Sequence, residues 1–467
     1  MKRLLKSLFF LATFAFSNEN FIDAKTKLSL KEAIEMVKSQ NLEVEIAKKD
    51  SQIKEFESKI ASGNNWGKID LSLTGLRSND PGNVFGFKLQ SKEATFDDFG
   101  FDEFLVPLGA MMAGQQVDQQ ALLDIKPKNL NEPEARDHYA TKISYQVPLY
   151  TGGMLTQYER ITKALHDMSM LEKEQVQNEK IYQTKKSFYD ISLLESYIEN
   201  LEKINSNIEK LENIVKTMIE EGYAKKVDLL EVQAKKASVE RMLNQAKFNK
   251  DLAYQFLSFL LNKEVKDTEK LYDIAPMPQI SEEEMLERNI NIQKATTGYQ
   301  ITDMAIKLEK ASFLPTVGAF AEYGSADDTP LGEFSDHAAY TIGVQAKWNL
   351  FNGAIDKNKY EKAIVENLKV KAQVELAKKG TALEIAKIKT EIKSLDYEIN
   401  SLNKELEFAK EVYENYLGRY SEKLVSINDV IIKQSMQIEH TLMLQEAKNK
   451  RNAKVFNLEK ISNGVEK

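Results

Sequence analysis

The sequence predicts a mostly helical protein that adds strands to a membrane β-barrel, and it predicts one structural unit twice. The segment QVPLYTGG at 146–153 returns 201 residues later as KWNLFNGA at 347–354. Four segments alternate between apolar and polar residues, and two very long stretches contain almost no proline or glycine. These three observations predict a duplicated unit of helix, strand, strand, long helix and helix.

The duplication divides the chain into two repeats. We expect the first repeat at residues 18–262 and the second at 281–467, joined by a linker at 263–280 that contains Pro276 and Pro278. The predicted helices are 29–61, 154–219 and 227–262 in the first repeat, and 281–312, 355–417 and 427–463 in the second. Each short helix is about half as long as the long one, so two of them stacked end to end would flank it. The linker would then cross the surface in the equatorial region, where the short helices meet.

Composition excludes several classes of protein. The chain has 467 residues, of which 42% are apolar and 29% charged, so it is not expected to be disordered. No internal segment approaches the roughly 20 consecutive apolar residues of a transmembrane helix. Lys2, Arg3 and Lys6 precede an apolar run, which predicts a secretory signal peptide at 1–17. Its removal changes the formal charge from −7 to about −10, which argues against nucleic acid as a partner. The absence of cysteine excludes a disulfide framework and a thiolate metal site.

The alternating segments are the predicted strands, at 68–77, 138–150, 316–324 and 339–350. In the first, Ile69, Leu71 and Leu73 alternate with polar residues, which places one face in an apolar medium and the other in water. A strand of about ten residues spans a bilayer when tilted. Strands of a soluble sandwich are the alternative, but such a sheet would need a covering layer that helices this long do not provide. A membrane tolerates no open sheet edge and the smallest common barrel has about eight strands, so other chains must complete this one.

Aromatic residues at the strand ends support a membrane location. Trp66 and Trp348 are the two tryptophans of the chain, and Tyr150 and Phe351 lie at the ends of equivalent strands. If the first strand runs outward and the fourth returns, both tryptophans lie at the same membrane interface, where amphipathic aromatic residues are enriched.

The long helices carry a coiled-coil seam. Apolar residues from Ile191 to Met218, and again from Ile388 to Tyr413, recur at alternating spacings of three and four. Such spacing predicts a left-handed seam with a partner helix. The turns at 221–223 and 422–424 follow these helices, and we expect them at the end furthest from the membrane.

Three features of the sequence occur in combination: the duplication, the strand-end motifs at 148–153 and 349–353, and Gly222 six residues before Asp228. This combination resembles the TolC-like outer membrane efflux proteins, or outer membrane factors. The resemblance covers about residues 28–463. It implies a homotrimer in the outer membrane of a Gram-negative bacterium, in which four strands per chain form a 12-stranded β-barrel. A periplasmic α-helical coiled-coil barrel would continue it. It also implies that the channel, part of a tripartite efflux or type I secretion system, receives substrate from an inner membrane pump through a periplasmic adaptor protein.

The resemblance also implies where the periplasmic gate lies. Asp228 and Tyr420 match positions that link neighbouring helices in such channels, and Asp429 matches an aspartate that narrows the entrance. Val425 and Ile432 depart from the family's arginine and second aspartate, so the link would be weaker than a charge-assisted one. The alternative from the residues alone is that both aspartates cap the helices that begin beside them.

The resemblance further implies that the helix-tip turns contact the adaptor. The residues concerned are Gly222 and Tyr223 in the first repeat, and Lys423 and Leu424 in the second. Lys423 stands where a second glycine is expected.

The connection at 78–137 is the largest departure from the duplication, because the second repeat joins its strands through a much shorter segment. A loop of this length is usually functional or mobile. Residues 83–90 could extend the hairpin beyond the membrane, or the apolar part of the loop could fold over the channel mouth.

Other chemistry is scarce in this sequence. The four histidines, His138, His166, His337 and His440, lack the mutual spacing of metal ligands, and no nucleophile lies near a base in any known pattern. We expect no metal, no cofactor and no catalytic residue. The function predicted is a passive export duct. The alternatives are a periplasmic adaptor or a structural or adhesive coiled-coil protein, neither of which explains two strand pairs of bilayer length.

Overall fold

A computed structural model describes residues 27–271, 274–330, 332 and 334–463. The predicted signal peptide lies outside the described residues. The elements of the first repeat are α1 (Leu30–Gln40), α2 (Leu42–Gly63), β1 (Lys68–Ser78), α3 (Pro81–Gln90), α4 (Phe101–Met112), α5 (Gln119–Leu123), α6 (Lys128–Asn131), β2 (Arg136–Tyr150), α7 (Met154–Glu220) and α8 (Lys226–Leu261). Those of the second are α9 (Glu282–Arg288), α10 (Ile290–Ala311), β3 (Thr316–Asp327), β4 (Ala339–Lys347), α11 (Ile355–Ser421) and α12 (Ile427–Ile461). No helix in the described part of the chain combines the length and hydrophobicity that crossing a membrane requires.

The duplication is visible at single-residue resolution. Helices α7 and α11 both have 67 residues, and their first residues are 201 positions apart. Helices α2 and α10 both have 22 residues, and their first residues are 248 positions apart, because the β1–β2 connection is longer than its counterpart. Backbone conformations repeat as well. Positive φ angles occur at four pairs of positions 201 residues apart: Gly152 and Gly353, Gly153 and Ala354, Gly222 and Lys423, and Asn262 and Asn463.

The opening helix of each repeat is broken, where the sequence predicted single helices at 29–61 and 281–312. Asn41 separates α1 from α2, and Asn289 separates α9 from α10. The Asn41 Oδ1 atom accepts hydrogen bonds from the backbone N–H groups of Glu43 and Val44 at 3.0 and 3.1 Å. Asn289 Oδ1 accepts one from Ile292 at 3.0 Å. Each asparagine satisfies free N–H groups of a new helix, and its extended backbone ends the preceding one.

The sheet has the strand order β1-β2-β3-β4, and each neighbouring pair is antiparallel. The register aligns the apolar positions of all four strands on one face. One row across the sheet consists of Leu71, Ile143, Tyr323 and Tyr340, and the next of Ile69, Tyr145, Ala321 and Ile342. The opposite face carries mostly polar residues, among them Lys142 and Glu322, which form an ion pair at 3.2 Å. The predicted alternation therefore produces one apolar and one polar surface.

The chain divides into two compact units, and each contains parts of both repeats. One unit comprises residues up to 46, 175–285 and 382 onward, and the other comprises 47–174 and 286–381. The second unit contains the sheet. The first contains the coiled-coil seam, where apolar residues of α7, α8, α11 and α12 are buried together. The fully buried members are Leu201, Ile208, Leu211, Val215, Val232, Val239, Tyr413 and Val430.

The linker between the repeats is fixed to α12. The Ala275 N–H donates to Asn452 Oδ1 at 2.8 Å, and Arg451 Nη1 donates to the Ala275 carbonyl at 2.6 Å. Arg451 is buried and also donates through Nε to Asp396 at 2.5 Å. A buried backbone group needs a partner, and here two adjacent side chains provide partners for both groups of one residue.

Candidate functional site: helix tips and membrane sheet

The two helix tips have the same backbone conformation. After α7, the Tyr223 N–H donates to the Met218 carbonyl at 2.8 Å, and Gly222 has a φ of 82°. After α11, the Leu424 N–H donates to the Arg419 carbonyl at 2.9 Å, and Lys423 has a φ of 63°. This is the Schellman ending of a helix, which favours glycine at the left-handed position. The departure at Lys423 therefore changes the side chain and not the turn.

Side chains of the two tips also touch each other. The Lys423 Nζ lies 3.2 Å from the centroid of the Tyr223 ring, a cation–π contact between residues 200 positions apart in the sequence. Leu424 and Tyr223 are both exposed. The structure thus brings together Tyr223 and Lys423 of the four residues predicted at the tips, while Gly222 forms the first turn and Leu424 follows Lys423 in the second.

Both aspartates predicted at the gate bond to the backbone of a helix start. Asp429 Oδ2 accepts from the Ser426 N–H at 3.0 Å and from the Ser426 hydroxyl at 2.6 Å. These bonds to Ser426, from its hydroxyl and its backbone, lower the pKa of Asp429. Asp228 Oδ2 accepts from the Lys225 N–H at 2.7 Å, but Lys225 offers no hydroxyl for the reciprocal bond. The structure therefore contains the capping geometry that was the alternative for these residues.

Tyr420 belongs to the buried seam. Its side chain packs with Val232, Ile427 and Val430, and only 6% of the residue is exposed. Burial raises the pKa of Tyr420, and the nearby Asp228 carboxylate raises it further. The Asp228 carboxylate therefore lies near Tyr420 within one chain, and their role in a gate stays a prediction. Of the two departures, Val425 packs against the seam and Ile432 is exposed.

The predicted interface aromatics lie at one end of the sheet. Trp66 comes just before β1, and its carbonyl accepts a hydrogen bond from the Tyr145 hydroxyl at 3.0 Å. Trp348 comes just after β4, and its Nε1 donates to the Phe313 carbonyl at 3.0 Å. All four predicted residues are exposed, and Trp66 and Phe351 are 79% and 84% exposed. The Trp348 ring is therefore fixed by its own hydrogen bond and Trp66 by its backbone carbonyl, while the surfaces of both side chains stay uncovered.

The connection between β1 and β2 contains the four helices α3 to α6, which the sequence did not predict. Residues 83–90 lie in α3 and not in an extended hairpin, and Phe87 stacks on His138 with ring centroids 4.0 Å apart. Lys92 Nζ donates to the carbonyls of Asp336 and Ala338 at 3.0 and 2.8 Å, which ties this segment to the β3–β4 connection. The Asp80-Pro81 pair was the available signal, because aspartate at the cap and proline at the first position start a helix.

One group of acidic residues has oxygen atoms close enough to share a metal ion. It consists of Glu93, Asp327 and Asp328, near the β3–β4 connection. The Arg136 guanidinium donates to Glu93 and lies 3.7 Å from Asp328. The Arg136 guanidinium thus already provides one positive charge beside two of the three carboxylates.

The fold matches solved structures of membrane channels. The chain is similar to CusC (12% identity, TM-score 0.75, covering 93% of this chain and 91% of that one). It is similar to the CmeC outer membrane channel of Campylobacter jejuni (13%, 0.74, 93% and 85%) and to the open state of the MtrE outer membrane channel of Neisseria gonorrhoeae (14%, 0.74, 93% and 88%). No family model matches the sequence, and no curated protein matches it significantly.

The chain has the fold of these outer membrane channels. The similarity extends over nearly the whole chain and includes the sheet and the long helices together. The predicted mostly helical fold with a four-stranded sheet is therefore confirmed, whereas the trimer remains a prediction.

Proposed function

We propose that this chain is the subunit of a homotrimeric outer membrane duct for efflux or secretion, which spans the outer membrane of a Gram-negative bacterium and extends into the periplasm. The observation that carries the proposal is the sheet. Its apolar face is uncovered: Leu71, Leu73, Tyr340 and Ile342 are each 69–76% exposed. Its outer strands, β1 and β4, each pair on one side only among the described residues.

Both properties fit a bilayer. An apolar surface of this kind is stable against outer membrane lipid, whereas an open strand edge is not, because its N–H and C=O groups would lack partners there. Further copies of the chain would pair with both edges and close the sheet into a barrel. The polar face, with Lys142 and Glu322, would then line a water-filled lumen.

The helix tips are the proposed contact with a periplasmic adaptor protein, which would connect the duct to an inner membrane pump. Tyr223 and Leu424 are 64% and 62% exposed, so both paired turns present a large side chain that a partner can contact. Asp228 and Asp429 lie on the first turns of the helices that follow the tips, Tyr420 lies in the last turn of α11 before the second tip, and the three would form the gate. Transport through such a duct is passive and needs no catalytic step, no cofactor and no nucleic acid partner.

Purified protein tests the proposal directly. We expect a trimer by mass in detergent, with a β-sheet signal that is lost when the trimer dissociates. In planar lipid bilayers, it should produce discrete conductance steps. A periplasmic adaptor or a structural coiled-coil protein would instead be soluble without detergent and silent in the bilayer. A stable, folded monomer in detergent would contradict the proposed assembly.

A further inference from the structure

The two long helices have the same length but are covered to different extents. In α7, no residue between Val176 and Ile198, all of which the structure describes, is exposed. In α11, about half of the residues at the equivalent positions, 377–399, are exposed. Both helices bury their coiled-coil seam, so the difference lies on a second face that is covered in α7 and open in α11.

The second face of α7 is covered by α12, the closing helix of the other repeat. Lys460 Nζ lies 4.6 Å from the centroid of the Tyr182 ring and 3.0 Å from Glu179. Lys185 pairs with Glu459 at 2.8 Å in the same contact. Within one chain, the long helix of the first repeat therefore packs against the closing helix of the second.

The duplication defines the counterpart of this contact. The equivalent of α7 is α11, and the equivalent of α12 is α8, which carries an exposed apolar stripe along its C-terminal half. The stripe consists of Phe248, Leu252, Phe256 and Phe259, spaced by four, four and three residues and 45–69% exposed. A contiguous apolar stripe at helical spacing indicates a packing surface.

Equivalent residues on the two open faces are complementary. Lys460 corresponds to Phe259, and Tyr182 corresponds to Leu383, which is 72% exposed. Glu179 corresponds to Gly380, where a Cβ atom would meet nothing within 4 Å. A glycine inside a helix costs about 1 kcal/mol relative to alanine, and nothing within the described chain explains this one. Glycine would, however, leave room for an aromatic ring from a second copy.

We propose that neighbouring copies repeat, between chains, the contact that the two repeats make within one chain, so that Phe259 of one copy packs against Gly380 and Leu383 of the next. The inference rests on the proposed oligomeric duct and adds the residues that join its subunits. Charged contacts within the chain, such as Lys460 with Glu179, are replaced by apolar ones between chains. Burial of apolar surface that is exposed in a single chain supplies the association free energy.

The equivalence of contacts within and between chains also predicts the strand register between copies. Within one chain, Tyr145 of β2 lies opposite Ala321 of β3. The equivalents of these residues are Ala346 of β4 and Leu73 of β1. The inferred pairing therefore places Ala346 of one copy opposite Leu73 of its neighbour. Both residues lie on the apolar face, as the rest of the barrel requires.

Cysteine pairs test this interface, because the native chain contains no cysteine. The full-length double variant L73C/A346C should form a disulfide-linked trimer in the outer membrane on oxidation, since paired strands bring Cβ atoms within about 5.5 Å. The matched control is L71C/A346C, which lies on the same face but two residues out of register. It should stay unlinked. Each single cysteine variant serves to check insertion and trimer mass.

The helical contact has its own test. F259C/L383C should be joined between copies by a short bis-maleimide reagent, whereas F259C/L376C, two helical turns away, should not. If the protein is a trimer by mass but only the control pairs are linked, or no pair is linked, the inferred interface is wrong and the proposed duct is unaffected. A monomer by mass in detergent would overturn both.

Discussion

Lys423 and Tyr223 join the two helix tips of one chain: the ammonium nitrogen lies 3.2 Å from the centroid of the tyrosine ring. Lys423 also has a left-handed backbone conformation, with a φ of 63°. Its counterpart Gly222 has the same kind of conformation without strain. One side chain thus carries an unfavourable backbone conformation and a favourable contact between repeats.

Substitution of Lys423 separates these two effects. Lys423→Ala keeps the backbone strain and loses the cation–π contact, so we expect it to reduce stability by about 0.5–1 kcal/mol. Lys423→Gly loses the same contact but relieves about 1 kcal/mol of strain, so its stability should stay close to that of the native chain. Thermal unfolding of the two variants, with and without Tyr223→Ala, measures the coupling. Equal effects of both substitutions at Lys423 would contradict the assignment of strain to this position.

The hydrogen bonds that join the linker at Ala275 to Arg451 and Asn452 of α12 give a second prediction. Arg451→Ala removes the buried guanidinium that bonds to Asp396 and to the Ala275 carbonyl, and it leaves that carbonyl without its partner. We expect a loss of about 2 kcal/mol, the usual effect of removing a charged hydrogen-bond partner at a buried position. The control is Lys450→Ala at the adjacent position. The Lys450 ammonium pairs with the exposed Glu446, so its loss should leave the free energy of unfolding unchanged. Denaturant unfolding compares the two.

The inserted segment at 78–137 gives a third prediction. Phe87 is 8% exposed and stacks on His138, whereas Phe96 in the same segment is 78% exposed. Phe87→Ala should detach α3 from the sheet and cost about 3 kcal/mol, so added protease should cut this segment faster on intact cells. Phe96→Ala should leave the rate unchanged. Cleavage only after the outer membrane is broken would show that the segment does not face the outside.

A polar pair within this segment responds to pH. Burial would raise the pKa of Asp98, but its bonds to Lys88 and Thr95 outweigh this, so the pKa is lowered. A carboxylate with a lowered folded pKa contributes stability above its unfolded pKa, and the contribution disappears as pH falls through the folded value. Acidification below about pH 4 should therefore speed proteolysis of the native segment. The Asp98→Asn variant should be cleaved faster at neutral pH, and its cleavage rate should not rise further through this group on acidification.

The sequence was sufficient for the two long helices and the four strand segments, because period-two alternation and long proline-free stretches are local signals. It was not sufficient for the breaks at Asn41 and Asn289. Both residues interrupt patterns that continue on either side, and only the capping bonds, to Val44 and Ile292 for example, distinguish a break from a helix interior. The helices of 78–137 had a local signal in Asp80 and Pro81, which the length of the loop obscured.

At the candidate site, the sequence offered capping as the alternative for Asp228 and Asp429, because both lie beside a predicted helix start, but it did not identify Ser426 as the residue that bonds to Asp429. The proximity of Asp228 and Tyr420 came from the family resemblance, since no local pattern connects two helices so far apart in the chain. The contact of Lys423 with Tyr223 could not be predicted. It depends on how two turns from different repeats lie beside each other.

The gate aspartates have the last and sharpest test, because capping and gating make different predictions for the same variants. In a trimer, three copies of Asp228 and Asp429 would gather carboxylates at one narrow ring, which should make the closed channel weakly conducting and cation-selective. Asp228→Ala should then free Tyr420 and raise resting conductance, and Asp429→Ala should reduce the preference for cations. Ser426→Ala provides the matched control, since it removes the hydroxyl that donates to Asp429 and keeps the charge. It should lower the melting temperature and leave the reversal potential unchanged. If Asp429→Ala and Ser426→Ala both lower the melting temperature while neither changes the reversal potential, Asp429 is a helix cap only.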